Sequence, residues 1–305
     1  MHKPFNVNKI LIPIDFSESS NIALEHAVIL CSKYNASLHL LHVLTVSYVD
    51  ILPNLTATSS HINNTKELRK KVVEELDTIG KDFKEKHGVT YDIEVRNGSI
   101  TKEIGRSARE NKVDMIVMGT HGASGFEEFF LGSNAFRVVT AAAVPTLTIQ
   151  SHVKKLGYDN IVLPIDSSKY TRDKVSIARA IAEAFGATIH IVGLITDEHQ
   201  DEKGKFDVKI RQVEEYLDDR NVKHIKKIIN GTDIAEMTNV YASVVNADLV
   251  VVMTEQEAAT GLFVGPYAQR VVNHSKVPIL SVTPIEIVED IAKNELDGNN
   301  HPFYL

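Results

Sequence analysis

The sequence is poor in cysteine, in long apolar runs and in basic clusters. Cys31 is the single cysteine of the 305 residues, which excludes an intrachain disulfide and favours a reducing compartment. No apolar run approaches the ~18 residues that a membrane span needs, and residues 1–8 lack the apolar region of a secretory signal. We therefore expect a soluble, cytoplasmic protein with no membrane partner.

Charge and missing motifs exclude further classes of protein. The 33 Lys and Arg residues are outnumbered by 40 Asp and Glu residues, and the net charge of −7 argues against a nucleic-acid partner. No Gly-x-Gly-x-x-Gly follows the first predicted strand of either half, no Gly-x4-Gly-Lys-Ser/Thr occurs, and no close pair of Cys or His has zinc spacing. These absences argue against a Rossmann dehydrogenase, a P-loop enzyme and a zinc site.

The chain contains two copies of one design. Ile10–Asp15 returns 151 positions later as Ile161–Asp166, and Asn97-Gly98 returns 133 positions later as Asn230-Gly231. The second copy is therefore 18 residues shorter before its Asn-Gly turn, where the first copy has a Ser/Thr/Asn-rich stretch, residues 56–65, that indicates a loop. A length of 305 residues with 43% apolar residues suits two globular domains. We predict domains over residues 1–150 and 156–285, followed by an acidic tail over 286–305.

Short apolar segments alternate with amphipathic ones in each half. Ser99 and Thr232 each follow a glycine and are predicted helix N-caps. The alternation is typical of parallel βαβ units, so we predict an α/β fold made of two tandem, open, parallel-sheet sandwich domains, Rossmann-like, with about five strands each. The predicted strands of the first half are Lys9–Ile14, Ser37–Leu44, Tyr91–Val95, Asp114–Met118 and Thr146–Ile149.

Glycines follow the fourth predicted strand of the first half. Residues 119–125 read Gly-Thr-His-Gly-Ala-Ser-Gly, and Gly132-Ser133-Asn134 precedes an apolar helix that begins near Ala135. Glycine lets the backbone approach a ligand, and backbone N–H groups beside a helix N-terminus favour an anion. A glycine-rich turn without a ligand is the alternative. Ser133 could cap the helix, donate to a phosphate, or do both, and His121 is a candidate for contact with phosphate or a metal.

The first predicted strand ends in a carboxylate. Asp15 follows Pro13 and Ile14, and ligands of open parallel sheets bind outside the carboxyl ends of the strands. A carboxylate there can accept hydrogen bonds from an adenine amino group or a ribose hydroxyl. Alternatively, Asp15 or Ser17 caps the helix that follows.

These residues together resemble a known family. The spacing Gly119-x2-Gly122-x9-Gly132-Ser133 after a strand, with Pro13–Asp15 at the first strand and His42-Val43 at the second, resembles the universal stress protein family, and the resemblance covers almost the whole chain as two tandem copies. It implies that the first half binds ATP, with the adenine and ribose surrounded by Pro13, Ile14, Asp15 and Val43. It implies that the ribose and phosphates are held by Met118, Gly119, Gly122, Gly132, Ser133 and Asn134.

The resemblance also bears on assembly and on ions. It implies that the halves pair as an intramolecular pseudo-dimer through their last strands, Thr146–Ile149 and Ile279–Val282, and a homodimer stays open. Ala135 stands where the family often has a hydroxyl that contacts phosphate. Glu127-Glu128 adds negative charge to the phosphate loop, which disfavours a triphosphate unless a cation such as Mg²⁺ intervenes.

The second half departs from this pattern. Residues 253–256, Met-Thr-Glu-Gln, replace residues 119–122, Gly-Thr-His-Gly, and Pro266 replaces Ser133. Proline has no N–H to offer a phosphate, and Met253 places a side chain where the backbone must approach. We therefore predict a degenerate second site.

Three functions remain open at this stage. The first is a stress-response regulatory protein that binds ATP or another adenine nucleotide through its first half, with little or no hydrolysis and no assigned catalytic or metal-ligating residue. The second is a slow, metal-assisted ATPase or nucleotide hydrolase with a divalent cation near Asp15. The third is an interaction scaffold without a ligand.

Overall fold

The structure is a computed structural model that describes residues 5–45, 59–120, 132–196, 203–254 and 266–284, without the side chains of 59–65, 203, 205 and 266. In the first half the elements are β1 (Lys9–Pro13), α1 (Glu18–Tyr34), β2 (Ser37–Leu44), α2 (Ser59–His87), β3 (Tyr91–Asn97), α3 (Ile100–Glu110), β4 (Met115–Gly119), α4 (Ser133–Ala141) and β5 (Thr146–Ile149). In the second half they are β6 (Asn160–Ile165), α5 (Val175–Phe185), β7 (Thr188–Ile195), α6 (Lys203–Asp218), β8 (His224–Asn230), α7 (Ile234–Val244), β9 (Leu249–Met253), α8 (Pro266–His274) and β10 (Ile279–Val282).

The strands form one continuous sheet. Its order is β3-β2-β1-β4-β5-β10-β9-β6-β7-β8, and all pairs are parallel except β5 with β10. The halves are thus joined by the two strands expected to join them, with Ile279 opposite Thr148. Because this junction is antiparallel, the carboxyl ends of the first-half strands lie at the same edge of the sheet as the amino ends of the second-half strands.

Helices cover both faces of the sheet, so the α/β sandwich expected from the sequence is confirmed. Alternate residues of β1 serve opposite faces: Ile10 and Ile12 pack into the core under α1, α2, α5 and α6, whereas Leu11 packs under α3 and α4. A third cluster under α7 and α8 completes the second half. Asp114 and its counterpart Asp248 each accept two backbone N–H groups at the start of the neighbouring strand, at 2.7 to 3.0 Å.

Two local predictions were wrong. The loop expected over 56–65 ends earlier, because α2 begins at Ser59; residues 56–58 lie outside the described part of the chain. Thr232 is not the N-cap of its helix. The second copy has one more residue after its Asn-Gly turn, and the inserted Asp233 caps α7 by accepting the N–H groups of Ala235 and Glu236. Ser99 is at the N-cap position of α3, as predicted, but its side chain makes no capping hydrogen bond.

Candidate functional site

A cleft of about 160 Å³ opens at the carboxyl ends of β1, β2 and β4. Of the ten residues predicted for the site, nine line it: Pro13, Ile14, Asp15, Val43, Met118, Gly119, Gly132, Ser133 and Asn134. The tenth, Gly122, lies outside the described residues, as do His121, Glu127 and Glu128. The chain thus brings together residues from four separate segments at one edge of the sheet.

Seven further residues line the cleft. His42 and Ala135 belong to the family pattern without a predicted role in binding, and five were not predicted: Ser20, Leu41, Ile100, Ile104 and Thr120. Ile100 and Ile104 come from α3, and Leu41 and Val43 are alternate residues of β2, so one wall is apolar. The helical spacing of the two isoleucines and the alternation along β2 are signals in the sequence, but neither reveals which side chains face the cleft and which face the core.

Asp15 both shapes the turn after β1 and borders the cleft. Its Oδ1 accepts the N–H of Ser17 at 3.0 Å and the Ser17 hydroxyl at 2.6 Å. Ser17 is the N-cap of α1 and accepts the N–H of Ser20 at 3.2 Å. The capping alternative therefore holds for Ser17, whereas Asp15 orients that cap and keeps its exposed carboxylate at the cleft.

The neighbouring Phe16 has an unusual backbone. Its φ of +64° lies in the left-handed region, which a bulky residue rarely adopts. The ring faces the imidazole of His42 at a centroid distance of 5.1 Å, and His42 Nδ1 lies 2.7 Å from the carbonyl oxygen of Ile14. A carbonyl only accepts, so Nδ1 carries the proton and donates it. This bond ties the ends of β1 and β2 together at the cleft.

Helix α4 directs its N-terminus at the cleft. The first N–H groups of a helix have no partner within it and attract anions. Gly132 is the N-cap and has no side chain that could cap the helix, and its own N–H donates to Thr120 O at 2.8 Å. Ser133 therefore does not cap the helix; its hydroxyl and the amide of Asn134 lie exposed at the rim.

Gly119 is required by packing. A Cβ at this position would come within 2.9 Å of the backbone of Ser19 in α1 and would also clash with the Ser19 hydroxyl. The missing side chain thus lets α1 lie directly on the end of β4. The sequence predicts that this glycine lets the backbone approach a ligand, whereas its close neighbour in the structure is helix α1.

A comparison with known proteins now identifies the family. The model described as the universal stress protein family matches residues 6–150 and again residues 157–283. The chain belongs to the universal stress protein family.

Several relatives show the extent of the similarity. Universal stress protein MJ0531 of Methanocaldococcus jannaschii is 34% identical over 147 residues, which are 48% of this chain and 84% of that protein. Universal stress protein YxiE of Bacillus subtilis is 34% identical over 148 residues, 47% of this chain and 99% of that protein. A crystal structure of a universal stress protein from Archaeoglobus fulgidus covers 92% of this chain and 99% of its own, with a TM-score of 0.74 and 22% identity. That last likeness shows the fold, and it extends over both halves.

The second universal stress domain differs at the matching place. Thr120 N–H donates to the carbonyl of Ile149, and Thr254 N–H donates to that of Val282, so Met253 stands where Gly119 stands in the first domain. Met253 is 2% exposed and belongs to the core under α1, α2, α5 and α6. In this domain α5 begins nine residues after Asp166, whereas α1 begins three residues after Asp15.

The carboxylate turn survives in this second domain. Asp166 Oδ1 accepts the N–H of Ser168 at 3.0 Å and its hydroxyl at 2.6 Å, the same geometry as Asp15 with Ser17. Lys209 of α6 then donates to the carbonyls of Ser167 and Ser168, at 2.5 and 2.9 Å. Gly193 takes the place of His42; a Cβ there would meet side chains of β8 and α6 within 3 Å.

Three other titratable side chains of the universal stress domains are buried within the fold. His39 and His190 are buried and hydrogen-bonded: His39 to Asp92, Glu94 and Ser107, and His190 to Tyr241 and Asn160. Cys31 is fully buried, and this burial raises the pKa of its thiol to about 12.

Within the described residues, no group of three or more His, Cys, Asp or Glu side chains is arranged to hold a metal ion. No helix in the described ranges is long and apolar enough to cross a bilayer.

Proposed function

We propose that the first domain binds an adenine nucleotide in this cleft and that the chain acts as a nucleotide-dependent stress-response regulator in the cytoplasm, with little or no hydrolysis. The observation that carries the proposal is the convergence of nine of the ten predicted residues around one cleft. The family resemblance points to ATP. The two domains, 1–150 and 156–285, would work as a pseudo-dimer with one nucleotide site.

The residues of the cleft suit an adenosine moiety. Leu41, Val43 and Ile104 provide an apolar surface for a flat base, and Met118 adds a polarizable side chain. Asp15 is placed to accept a hydrogen bond from an amino or hydroxyl group of the nucleoside.

The N-terminus of α4 suits the phosphates. Its first N–H groups, the Ser133 hydroxyl and the Asn134 amide lie together at the rim. Oriented N–H groups stabilise an anion there without a lysine. Since the buried Ala135 adds no donor, we expect the affinity to depend more on the nucleoside than on the number of phosphates.

We propose that the second domain binds no nucleotide. Met253 places a side chain at the end of β9, where the first domain has Gly119. Lys209 donates hydrogen bonds to the carbonyls of Ser167 and Ser168, and Pro266 at the start of α8 has no N–H to offer a phosphate. The stoichiometry is then one nucleotide per chain.

The two matching carboxylate turns allow a controlled experiment. Asp15→Asn and Asp166→Asn both keep an Oδ1 acceptor for the serine and both remove one charge, but only Asp15 faces the cleft. Titration calorimetry with ATP, ADP and AMP should show one site in the unchanged chain. Loss of a charged hydrogen bond is worth about 1.5 kcal/mol, so Asp15→Asn should weaken binding about tenfold, whereas Asp166→Asn should leave it unchanged.

Three results would contradict the proposal: two equivalent sites, an equal effect of both substitutions, or no binding of any adenine nucleotide at millimolar concentration. Release of phosphate from ATP separates the regulator from the hydrolase. Turnover above about 1 s⁻¹, within the ordinary range of enzymes, would favour the hydrolase.

A further inference from the structure

The second domain exposes three apolar side chains on neighbouring elements. Ile225 in β8 is 51% exposed, and Val240 and Val244 in α7 are 56% and 71% exposed. Single exposed apolar residues are common, but a contiguous group on one surface marks an interaction site.

The first domain has charged residues at the three matching positions. Registering β3 on β8 and α3 on α7 places Asp92, Arg106 and Glu110 opposite Ile225, Val240 and Val244, respectively. All three are ion-paired on their own surface: Asp92 with Lys9 at 2.8 Å, and Arg106 with Glu103 at 3.4 Å and with Glu110 at 4.0 Å. The same backbone therefore presents a solvated face in one domain and an apolar face in the other.

The apolar residues lie on adjoining elements on one face of the sheet. Ile225 is the register partner of His190, and the Tyr241 hydroxyl of α7 lies 3.3 Å from His190 Nδ1, so α7 lies beside Ile225. Val240 and Val244 are one helical turn apart and share a face of α7 next to Tyr241. We call Ile225, Val240 and Val244 the apolar strip.

A groove beside α7 shares Val240 with the strip. It has a volume of about 180 Å³ and runs between α7 and the end of α8, with Val240 and Ala242 on one wall and His274, Ser275 and Lys276 on the other. The Asn239 amide oxygen, which has no hydrogen-bond partner among the described residues, belongs to the same groove. The site is thus concave and combines apolar and polar walls.

Two lysines lie beside the strip and the groove. Lys227 shares the sheet face of Ile225, and Lys276 is exposed at the groove with the imidazole of His274. None of these three forms an ion pair with another described residue. The corresponding groove of the first domain has two cations of its own, Arg109 and Lys112, but it lacks the apolar strip.

We propose that the apolar strip and its groove bind an acidic amphipathic helix of a partner protein. Apolar residues of such a helix, three or four positions apart, would cover Val240 and Val244, and flanking Glu or Asp residues would face Lys227 and Lys276. A groove fits a helix better than it fits a flat lipid surface. Addition of a strand to β8 is disfavoured because Lys226 and Lys227 lie on that edge strand.

A designed peptide tests the surface directly. The probe is a fluorescein-labelled helix of about 18 residues with leucine on one face and glutamate on the others, a length at which helices become stable in water. Its anisotropy with the full chain should show saturable binding that weakens as salt is added. The same peptide with lysine in place of glutamate should not bind.

Matched substitutions locate the binding. The double substitution Val240→Glu with Val244→Glu should weaken binding at least about tenfold, because it introduces two charges into the contact. Val208→Glu is the control; Val208 is 39% exposed on α6, on the opposite face of the sheet, and its replacement should leave the affinity unchanged. Circular dichroism shows that each variant is folded.

Four outcomes would overturn the proposal. They are equal binding of the lysine peptide, equal binding by the Val240→Glu/Val244→Glu chain, tighter binding of the chain to vesicles of anionic lipid than to the peptide, and tighter binding of a peptide of residues 285–305. The last would mean that the surface serves the acidic end of this same chain.

Discussion

The buried imidazole of His26 should make this protein lose stability in mild acid. His26 lies in α1 and is 1% exposed. Its Nδ1 lies 3.3 Å from the hydroxyl of Tyr158, near the start of the second domain, while its Nε2 has no partner among the described residues. Burial lowers the pKa of His26 from 6.5 to about 4, so the folded protein holds this side chain neutral.

The size of the effect follows from the pKa difference. Between pH 6.5 and 4 the unfolded chain binds a proton that the folded chain does not, so the free energy of unfolding falls by about 1.4 kcal/mol per pH unit as the pH drops. The stabilisation is complete above pH 6.5. At pH 5 the loss from this one residue is about 2 kcal/mol, and it reaches roughly 3 kcal/mol below pH 4.

Replacement by leucine removes the titration and keeps a side chain of similar size. At pH 7, His26→Leu loses the hydrogen bond to Tyr158, which costs about 1 to 3 kcal/mol, but it also removes a buried nitrogen without a partner, which offsets part of that cost. Urea unfolding of both proteins at pH 7, 6 and 5 gives the comparison. The variant should gain about 2 kcal/mol relative to the unchanged protein between pH 7 and pH 5.

The difference between the two proteins isolates His26 from the many carboxylates that also titrate in acid. Tyr158→Phe serves as the control: it removes the same hydrogen bond but keeps the imidazole, so its stability should fall with pH as steeply as that of the unchanged protein. If His26→Leu and the unchanged protein lose stability in parallel between pH 7 and 5, the imidazole is not held neutral and the reasoning is wrong.

Two further predictions concern buried contacts. Gly119→Ala should lower the free energy of unfolding by about 1 to 3 kcal/mol, because the new Cβ overlaps the backbone of Ser19. Gly105→Ala in helix α3 is the control and should be neutral or stabilising, because its Cβ has its closest neighbour at 3.6 Å. Equal effects of the two substitutions in urea unfolding would refute the packing role of Gly119. Cys31 should not react with a disulfide reagent at pH 8 in the folded protein, since its thiol pKa is raised to about 12, and should react at once in denaturant; fast reaction of the folded chain would show that α1 opens.

The strands could be predicted almost to the residue. β2 and β5 have the predicted bounds, and β1 ends one residue earlier, at Pro13. β4 is shifted by one residue, to Met115–Gly119, and the edge strand β3 runs two residues further, to Asn97. The inner strands are buried on both faces of the sheet, so they appear as runs of Ile, Val and Leu, whereas the edge strand β3 is partly exposed and its end is less distinct. Helix ends were less accessible. The first turn of α7 is capped by Asp233, a residue inserted relative to the first copy. The insertion could not be recognised from the repeat because the Asn-Gly turn before it and Gly265 after it both match the first copy at the same offset of 133 positions.

The candidate site was predictable where its residues stand at strand and helix ends, and less so along α3 and β2. Pro13, Asp15 and Ser133 stand at strand and helix ends, where chain order alone places them at one edge of the sheet. Ile104 and His42 lie within elements, and their contact with the cleft depends on how α3 and β2 are rotated against their neighbours. Gly119 shows the same limit, since its closest neighbour, Ser19, is 100 residues away in the sequence.

The two domains differ at matching positions in ways that suit different functions. At the position of Gly119 the second domain has Met253, and at the position of Glu110 it has Val244. The first exchange adds a buried side chain at a strand end, and the second adds an exposed apolar side chain to a helix.

Because β5 and β10 are antiparallel, the cleft at the carboxyl ends of the first-domain strands and the groove near the amino end of β10 lie at the same edge of the sheet. Both also lie on the face covered by α3, α4, α7 and α8. Side chains of α4 join the two cores on that face, since Val139 packs with α8 while Val138 packs with α3. If a nucleotide at the N-terminus of α4 alters the affinity of the groove for its helix, thermodynamic linkage requires the helix to alter the affinity for the nucleotide by the same factor. Measuring both affinities in one protein therefore decides whether the two domains act separately or as one device.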